Sequence, residues 1–327
     1  MALKSSAKRL FATRTGFRLR SRCAGRGGLA VLTYHRINDA QPMFEGLHRD
    51  VFEAQMEWLS RNVHVMRASE LPRVLAGEGP DELTVMVTFD DGYRDFAERA
   101  YPVLKRYGIP AMVFLPTRLI DQGGLIWTDR IAAAMQLTHR RRVVEPWPGG
   151  GDVELGSETS RAAAIVRAKR AMKQADDAER RHWEDTLIAD LDVADQLASL
   201  PREMLTWDVV RSMRDLVDFG SHSHTHPIMS RLTAVDFERE LAVSRDRMIS
   251  ELGGHPRWFA YPNGTRSDIP ARAGEVLAKL GYEAAFSTIA GINQRGKADR
   301  WRLCRQPTGA ATIADFAWLI ASAGDDP

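Results

Sequence analysis

Two stretches of the chain carry residue types able to do acid–base and metal chemistry at workable spacing. In Thr88–Gly92 (TFDDG) two carboxylates, Asp90 and Asp91, stand side by side at the end of an apolar run. Successive strand residues point to opposite faces, so both reach one site only if the chain turns there, and Gly92 permits that turn. Adjacent carboxylates suit a division of labour in which one holds a metal ion and its neighbour stays free as a base. Asp-Gly also marks ordinary bends, so the pair alone does not decide the matter. The second stretch, GSHSHTHP, holds His222, His224 and His226, three of the chain's nine histidines. A separation of four can bring His222 and His226 onto one face of a helical turn, with His224 pointing elsewhere. Asp91, His222 and His226 together make a two-His, one-carboxylate set. Such a set leaves coordination positions open for water and substrate, which separates a catalytic site from a closed structural one.

The elements that must position these residues follow a β/α rhythm. LAVLTYH (29–35), LTVMVTFDDG (83–92), PAMVFLPT (110–117), VDFGSHSHTHP (217–227), WFAYPNG (258–264) and EAAFST (283–288) read as buried strands, each ending in something polar. Helical patterns lie between them. The clearest runs from Thr233 to Gly253, with Phe237, Leu241, Met248 and Leu252 at helical spacing, a cap at Thr233 and Asp236, and a stop at Gly253. Strands alternating with helices imply parallel β/α units, whose ligand chemistry gathers at the carboxyl ends of the strands. The span of about 128–204 breaks this rhythm. It shows no strand-like run and is expected to be a mostly helical insertion within one domain.

Composition bounds the rest. At 327 residues, 44% hydrophobic and 27% charged, the chain falls in the ordinary globular range, and no apolar run approaches the roughly 18 residues that span a bilayer. Two cysteines, Cys23 and Cys304, exclude a disulfide framework and a CxxC knuckle. The net charge of +2 hides an asymmetry. Residues 1–38 carry nine Lys/Arg and no acid, against 36 basic and 43 acidic residues in the remainder. The basic arm (1–28) lacks the continuous apolar stretch of an export signal, so a cytoplasmic protein is expected. Its scattered Phe and Leu among cations suit an anionic membrane surface, a membrane-peripheral reading that stands beside a merely solvated terminus. No nucleic-acid partner is expected.

The ordered set TFDDG, then HSHTHP, then YPNG resembles the polysaccharide deacetylases, also called NodB-homology or carbohydrate esterase family 4 proteins. The resemblance covers about residues 29–308 and leaves the arm and a C-terminal helix and tail (309–327) aside. It implies an α/β fold, a distorted β/α barrel of about seven parallel strands, and one divalent metal ion, usually zinc. Carried over by position, it makes Asp90 the general base, Asp91 the metal-binding carboxylate, and His222 and His226 the paired metal ligands, with Ser223 supporting the loop. The family's Arg-x-Pro-Tyr-Gly run is here Ala260, Tyr261, Pro262, Asn263 and Gly264. The arginine that would orient the base is therefore missing, and Arg305 in RLCRQP is the candidate replacement. Asn263 keeps the place of a backbone N–H donor to an oxyanion, and Tyr261 is nominated for substrate contact. The family's late Leu-x-His is also absent. LTYHRI resembles the opening of a permuted branch in which the acid histidine comes from the first strand, which points to His35; a strand-end histidine bonded to a backbone carbonyl is the alternative.

These parts imply a metal-dependent hydrolase that removes N-acetyl groups from amino-sugar units of a polysaccharide or its precursor and releases acetate. Two other classes remain at this level. One is a hydrolase of a small non-sugar amide or imide; the other is a metal-containing glycan-binding module whose catalysis has decayed. Retention of both Asp90 and Asp91 argues against decay.

Overall fold

The computed structural model describes residues 27–39, 43–310 and 312–322, with Thr13, Gly16 and Phe17 of the arm. Six parallel strands form the body of the molecule: β1 (Gly28–Tyr34), β2 (Thr84–Phe89), β3 (Ala111–Leu115), β4 (Val217–Ser221), β5 (Trp258–Ala260) and β6 (Ala284–Phe286). They lie in the spatial order β6-β5-β4-β3-β2-β1. A late segment closes the two edges. Leu303 bridges Phe286 of β6, and β7 (Gln306–Pro307) pairs in parallel with Leu32 and Thr33 of β1. The result is a seven-stranded curled barrel of α/β type. A short strand, Asn293–Gln294, adds to β1 in antiparallel sense, and His64–Val65 pairs with β2.

Every residue of β1, β2 and β3 is buried, so these strands read as unbroken apolar runs with helices packed on one face. The period of two still decides which way each side chain faces. Val31, Met86, Met112, Phe114, Trp258 and Phe286 fill the barrel interior. Leu32, Val87, Phe89, Val113 and Leu115 face outward onto the helical layer, where Phe52, Met56 and Leu59 of helix α1 (Arg49–Asn62) meet them. Phe52 packs edge-on against Tyr34 and Phe89, with ring centroids 5.2 and 5.7 Å apart.

Between β3 and β4 the expected insertion is present, but not without strands. Three long helices, α2 (Trp127–Leu137), α3 (Glu158–Met172) and α4 (Asp177–Leu191), enclose a separate core around Ile131, Met135, Ala164, Ala168, Leu187 and Leu191. Between α2 and α3 an antiparallel hairpin pairs Arg142–Val144 with Asp152–Glu154, contrary to the strand-free reading. Each arm has three residues and buries a single valine, Val143 or Val153, too little for an alternating pattern to register. Helix α5 (Ala234–Leu252) follows β4 and has the expected ends: Thr233 Oγ1 accepts from the Asp236 N–H at 3.1 Å, and Gly253 is left-handed.

Helix α6 (Ile313–Ser322) packs Phe316 edge-on against Trp58 of α1. Phe17 of the arm is also buried against Trp58, with centroids 5.1 Å apart. The remainder of the arm, with Cys23 and the cations read as a membrane contact, lies outside the described residues, as does the tail past Ser322. Among the described residues no helix is long and apolar enough to cross a membrane.

The aromatic layer gives a direct test of where stability resides. Phe52→Ala should lower unfolding stability by roughly 3–5 kcal/mol, the cost of a large core truncation, measured by urea denaturation.

Candidate active site and metal centre

The carboxyl ends of the strands converge at one mouth, and the alternation that fills the barrel extends into it. Leu29, Val31 and Met86 face inward, so His35 after β1 and Asp90 after β2 fall on the same inner face. Asp91 would then point outward. Its backbone is left-handed (φ 72°), as is that of Gly92 (φ 66°), and this turn swings its carboxylate back over the barrel. A Cβ at Gly92 would lie 2.7 Å from Leu115 Cδ2, so the turn requires glycine there for space as well as for φ.

His222 and His226 come together by a different route from the helical turn their spacing suggested. Residues 222–228 form no helix; Ser223 and His226 are both left-handed, with φ of 67° and 61°. The loop is held by its own bonds. Ser223 Oγ accepts from the His226 N–H at 3.0 Å, and the Glu240 carboxylate on α5 accepts from the N–H groups of His224 and Thr225 at 2.9 and 2.8 Å. His224 turns away and meets Thr117 Oγ1 at 2.9 Å. The rings of His222 and His226 lie 4.9 Å apart.

One ligand atom each from Asp91, His222 and His226 lies within 4.8 Å of the others, and all three residues are buried. The Nε2 atoms of His222 and His226 stand 3.4 and 3.1 Å from Asp91 Oδ1, yet that oxygen accepts no hydrogen bond. His222 Nδ1 lies 2.8 Å from the Ala260 carbonyl, which fixes it as the protonated nitrogen and leaves the Nε2 lone pair facing Asp91. A buried carboxylate oxygen without a donor, faced by the His222 lone pair, is a costly arrangement unless a cation lies between them. The donor set fits a divalent ion of the zinc type.

Asp90 lies beside this set but is held by another partner. Arg305 Nη1 and Nη2 each stand 2.7 Å from one of its oxygens, and Arg305 Nε donates to the Ser287 carbonyl at 2.7 Å. Both side chains are almost wholly buried. Burial alone would raise the Asp90 carboxyl, but the Arg305 charge outweighs it and holds the group below the usual carboxylate range. His35 is half exposed, hydrogen-bonds no backbone carbonyl among the described residues, and places Nε2 3.8 Å from Asp90 Oδ2. Asn263, left-handed at φ 62°, lines the same cavity of about 230 Å³ as His35, both aspartates and both histidines. Its side-chain amide nitrogen is buried without an acceptor.

Tyr261 does not belong to this group. It is wholly buried, its ring packs on Phe259, and its hydroxyl donates to the Trp301 carbonyl at 3.0 Å. The reason is strand parity: Trp258 and Ala260 face the barrel interior, so Phe259 and Tyr261 face the helices.

A residue that the motifs did not signal ties the mouth together. Arg36, next to His35, is buried between the rings of Tyr93 and Phe44, 3.6 and 4.4 Å from their centroids. It pairs with Asp95 at 3.3 Å, Asp129 of α2 at 3.1 Å and Glu203 at 2.9 Å. Burial pushes the Asp95 carboxyl up to about 6. Arg36 thus fastens the insertion to the barrel beside the candidate acid. Its partners sit 59, 93 and 167 residues away, and no local pattern foretells them. Glu240 was missed for the same reason.

With this geometry in view, comparison with known proteins is decisive for family. The polysaccharide deacetylase family model matches residues 77–285, more than half of the chain. The chain belongs to the polysaccharide deacetylase family. Among curated relatives, YxkH of Bacillus subtilis (strain 168) is 38% identical over 89 residues. The poly-beta-1,6-N-acetyl-D-glucosamine N-deacetylase of Escherichia coli (strain K12) is 30% identical over 91. These matches cover 27% and 26% of this chain, and only 31% and 13% of the relatives' own lengths. Among solved structures, the Streptococcus pyogenes deacetylase PplD, in complex with acetate, aligns with a TM-score of 0.60 at 18% identity, over 90% of this chain and 98% of that one. IcaB from Ammonifex degensii aligns at 0.57 and 21% identity, over 92% and 98%. At such identities the likeness is one of fold. The family match spans Asp90, Asp91, His222, His226 and Asn263; His35 and Arg305 fall outside it and reach the deacetylase mouth only through β1 and the closing segment.

Zinc titration by calorimetry separates the candidate base from the candidate metal ligands. Asp90→Asn should still take up about one equivalent, whereas His226→Ala should weaken binding more than the roughly 10–100-fold typical of losing an outer-shell partner.

Proposed function

We propose that this deacetylase is a metal-dependent hydrolase that removes N-acetyl groups from amino-sugar units of a glycan and releases acetate. The observation that carries the reading is the convergence of Asp91, His222 and His226 in one buried cavity that also holds Asp90 and His35. The deacetylase names of its relatives and the acetate bound to the Streptococcus pyogenes protein agree with it.

Asp91, His222 and His226 would hold the ion, zinc being the best match to the donor set. Bound there, it supplies Lewis acidity toward an acetyl carbonyl and lowers the pKa of water to about 7. The chain's own groups do the rest. Asp90 takes a proton from the attacking water as the new C–O bond forms, and Arg305 keeps its carboxylate ionised and aimed. The backbone N–H of Asn263 donates to the developing oxyanion. His35 then gives a proton to the departing nitrogen as the C–N bond breaks, leaving acetate and a free amine. Binding of a small non-sugar amide would call for an enclosed pocket; here the site adjoins larger clefts of about 810 and 760 Å³, which favours a glycan. The cations of the arm, suited to an anionic membrane surface, extend the proposal to a membrane-peripheral enzyme.

Purified protein should release acetate from N-acetylglucosamine oligomers, lose that activity on chelation and regain it with zinc. Activity indifferent to chelation would refute the metal-dependent reading. His35→Ala should lower the rate on the amide by about 10²–10⁴-fold but slow hydrolysis of an aryl acetate far less, because a phenolate leaves without protonation. An equal loss on both substrates would remove His35 from the acid's role.

A further inference from the structure

The insertion presents one helical face to the active-site mouth. On α3, Ala164, Ala168 and Met172 are buried in the insertion core, whereas Arg161, Lys169 and Ile165, which also packs on that core, line a groove of about 760 Å³. Lys173, one turn beyond Lys169, lines the cleft of about 810 Å³ that also includes His35, Asn263 and Arg305. Glu45 lines both spaces and the metal cavity, so the three adjoin there.

The two lysines differ from the other cations at the mouth. Arg305 is committed to Asp90, Arg36 to three carboxylates, and Arg161 to the carbonyls of Met135 and Thr138 at the end of α2. Lys169 and Lys173 form no ion pair among the described residues. Lys169 is half-buried, and burial lowers its pKa; the acids near it are Asp129 and Glu45. Asp129 already accepts from Arg36 and from the Tyr93 hydroxyl. An ammonium ordinarily extends toward water or pairs with a carboxylate. Here Lys169 is half-buried and Lys173 exposed, four residues apart on one face at the end of α3, and each lines a space that adjoins the candidate site.

We propose that Lys169 and Lys173 form an anion subsite, so that this deacetylase prefers amino-sugar substrates bearing a carboxylate or phosphate next to the N-acetylated unit. This specificity rests on the deacetylase reading given above. Its chemistry is charge-assisted hydrogen bonding from two ammonium groups to acidic oxygens, and it assigns the insertion a role in substrate choice.

The test compares three probes on the full chain: chitotetraose, which is neutral; a hyaluronan tetrasaccharide, which carries carboxylates; and N-acetylglucosamine 1-phosphate. Acetate release should favour at least one acidic probe over the neutral one. In the Lys169→Met, Lys173→Met double variant that preference should fall by about tenfold or more, the loss expected for a charge-assisted contact, through KM more than kcat. Direct binding of the two acidic probes to chelated protein, measured by calorimetry, gives a second readout that does not depend on turnover. Lysine-dependent binding with no acetate from any probe would overturn the hydrolase reading and leave the subsite standing. Acetate release from chitotetraose, with binding of both acidic probes unaffected by the double substitution, would overturn the subsite and leave the hydrolase. The carboxylate and phosphate probes distinguish which acid the subsite takes.

Discussion

The ion pair between Asp90 and Arg305 is the interaction on which the site's arrangement turns. A carboxylate withdrawn from water in a barrel mouth keeps its charge only if a partner offsets the lost hydration, and removing one member of such a pair costs about 3–5 kcal/mol. Arg305 makes two 2.7 Å bonds to Asp90 while anchored to Ser287 through Nε. It does so from the segment that also closes the barrel, between the Leu303 bridge to β6 and the β7 ladder on β1. Closure of the sheet and ionisation of the candidate base are therefore one structural event.

A second constraint is backbone strain gathered at the site. Among the described residues, non-glycine positions with positive φ are Asp91, Asp192, Ser223, His226 and Asn263, and four of these five belong to the mouth. Each such residue costs of order 1–3 kcal/mol and persists only where its surroundings fix it. The fixing groups can be named. Glu240 and Ser223 hold the histidine loop through its N–H groups, and Thr288 Oγ1 donates to the Asn263 carbonyl at 2.7 Å. Strain is accepted here because straight strands cannot turn Asp91, His222 and His226 toward one point.

The insertion is part of the same construction. Through Asp129 and Glu203 it supplies two of the three carboxylates that hold Arg36, and Arg36 sits beside His35. Helix α3 then forms one wall of the approach to the candidate site. A segment that interrupts the β/α rhythm in sequence is thus built into the rim in space.

The barrel strands and the caps of α5 were legible because burial and capping leave local signatures: unbroken apolar runs, and Thr233, Asp236 and Gly253 at helix ends. The candidate site residues were legible as types and order, TFDDG before HSHTHP before YPNG. The short hairpin at Arg142–Val144 was not, since three residues carry no period, and Tyr261 was misplaced because motif position was followed where strand parity should have been. Sequence alone determined which residues have the chemistry, since carboxylate, imidazole and guanidinium groups are fixed by composition and spacing. Only the tertiary structure decided which of them meet. The left-handed turns, the closing segment that carries Arg305 to Asp90, and the pairing of Arg36 with three distant acids all depend on contacts between residues far apart in the chain, and such contacts leave no local trace.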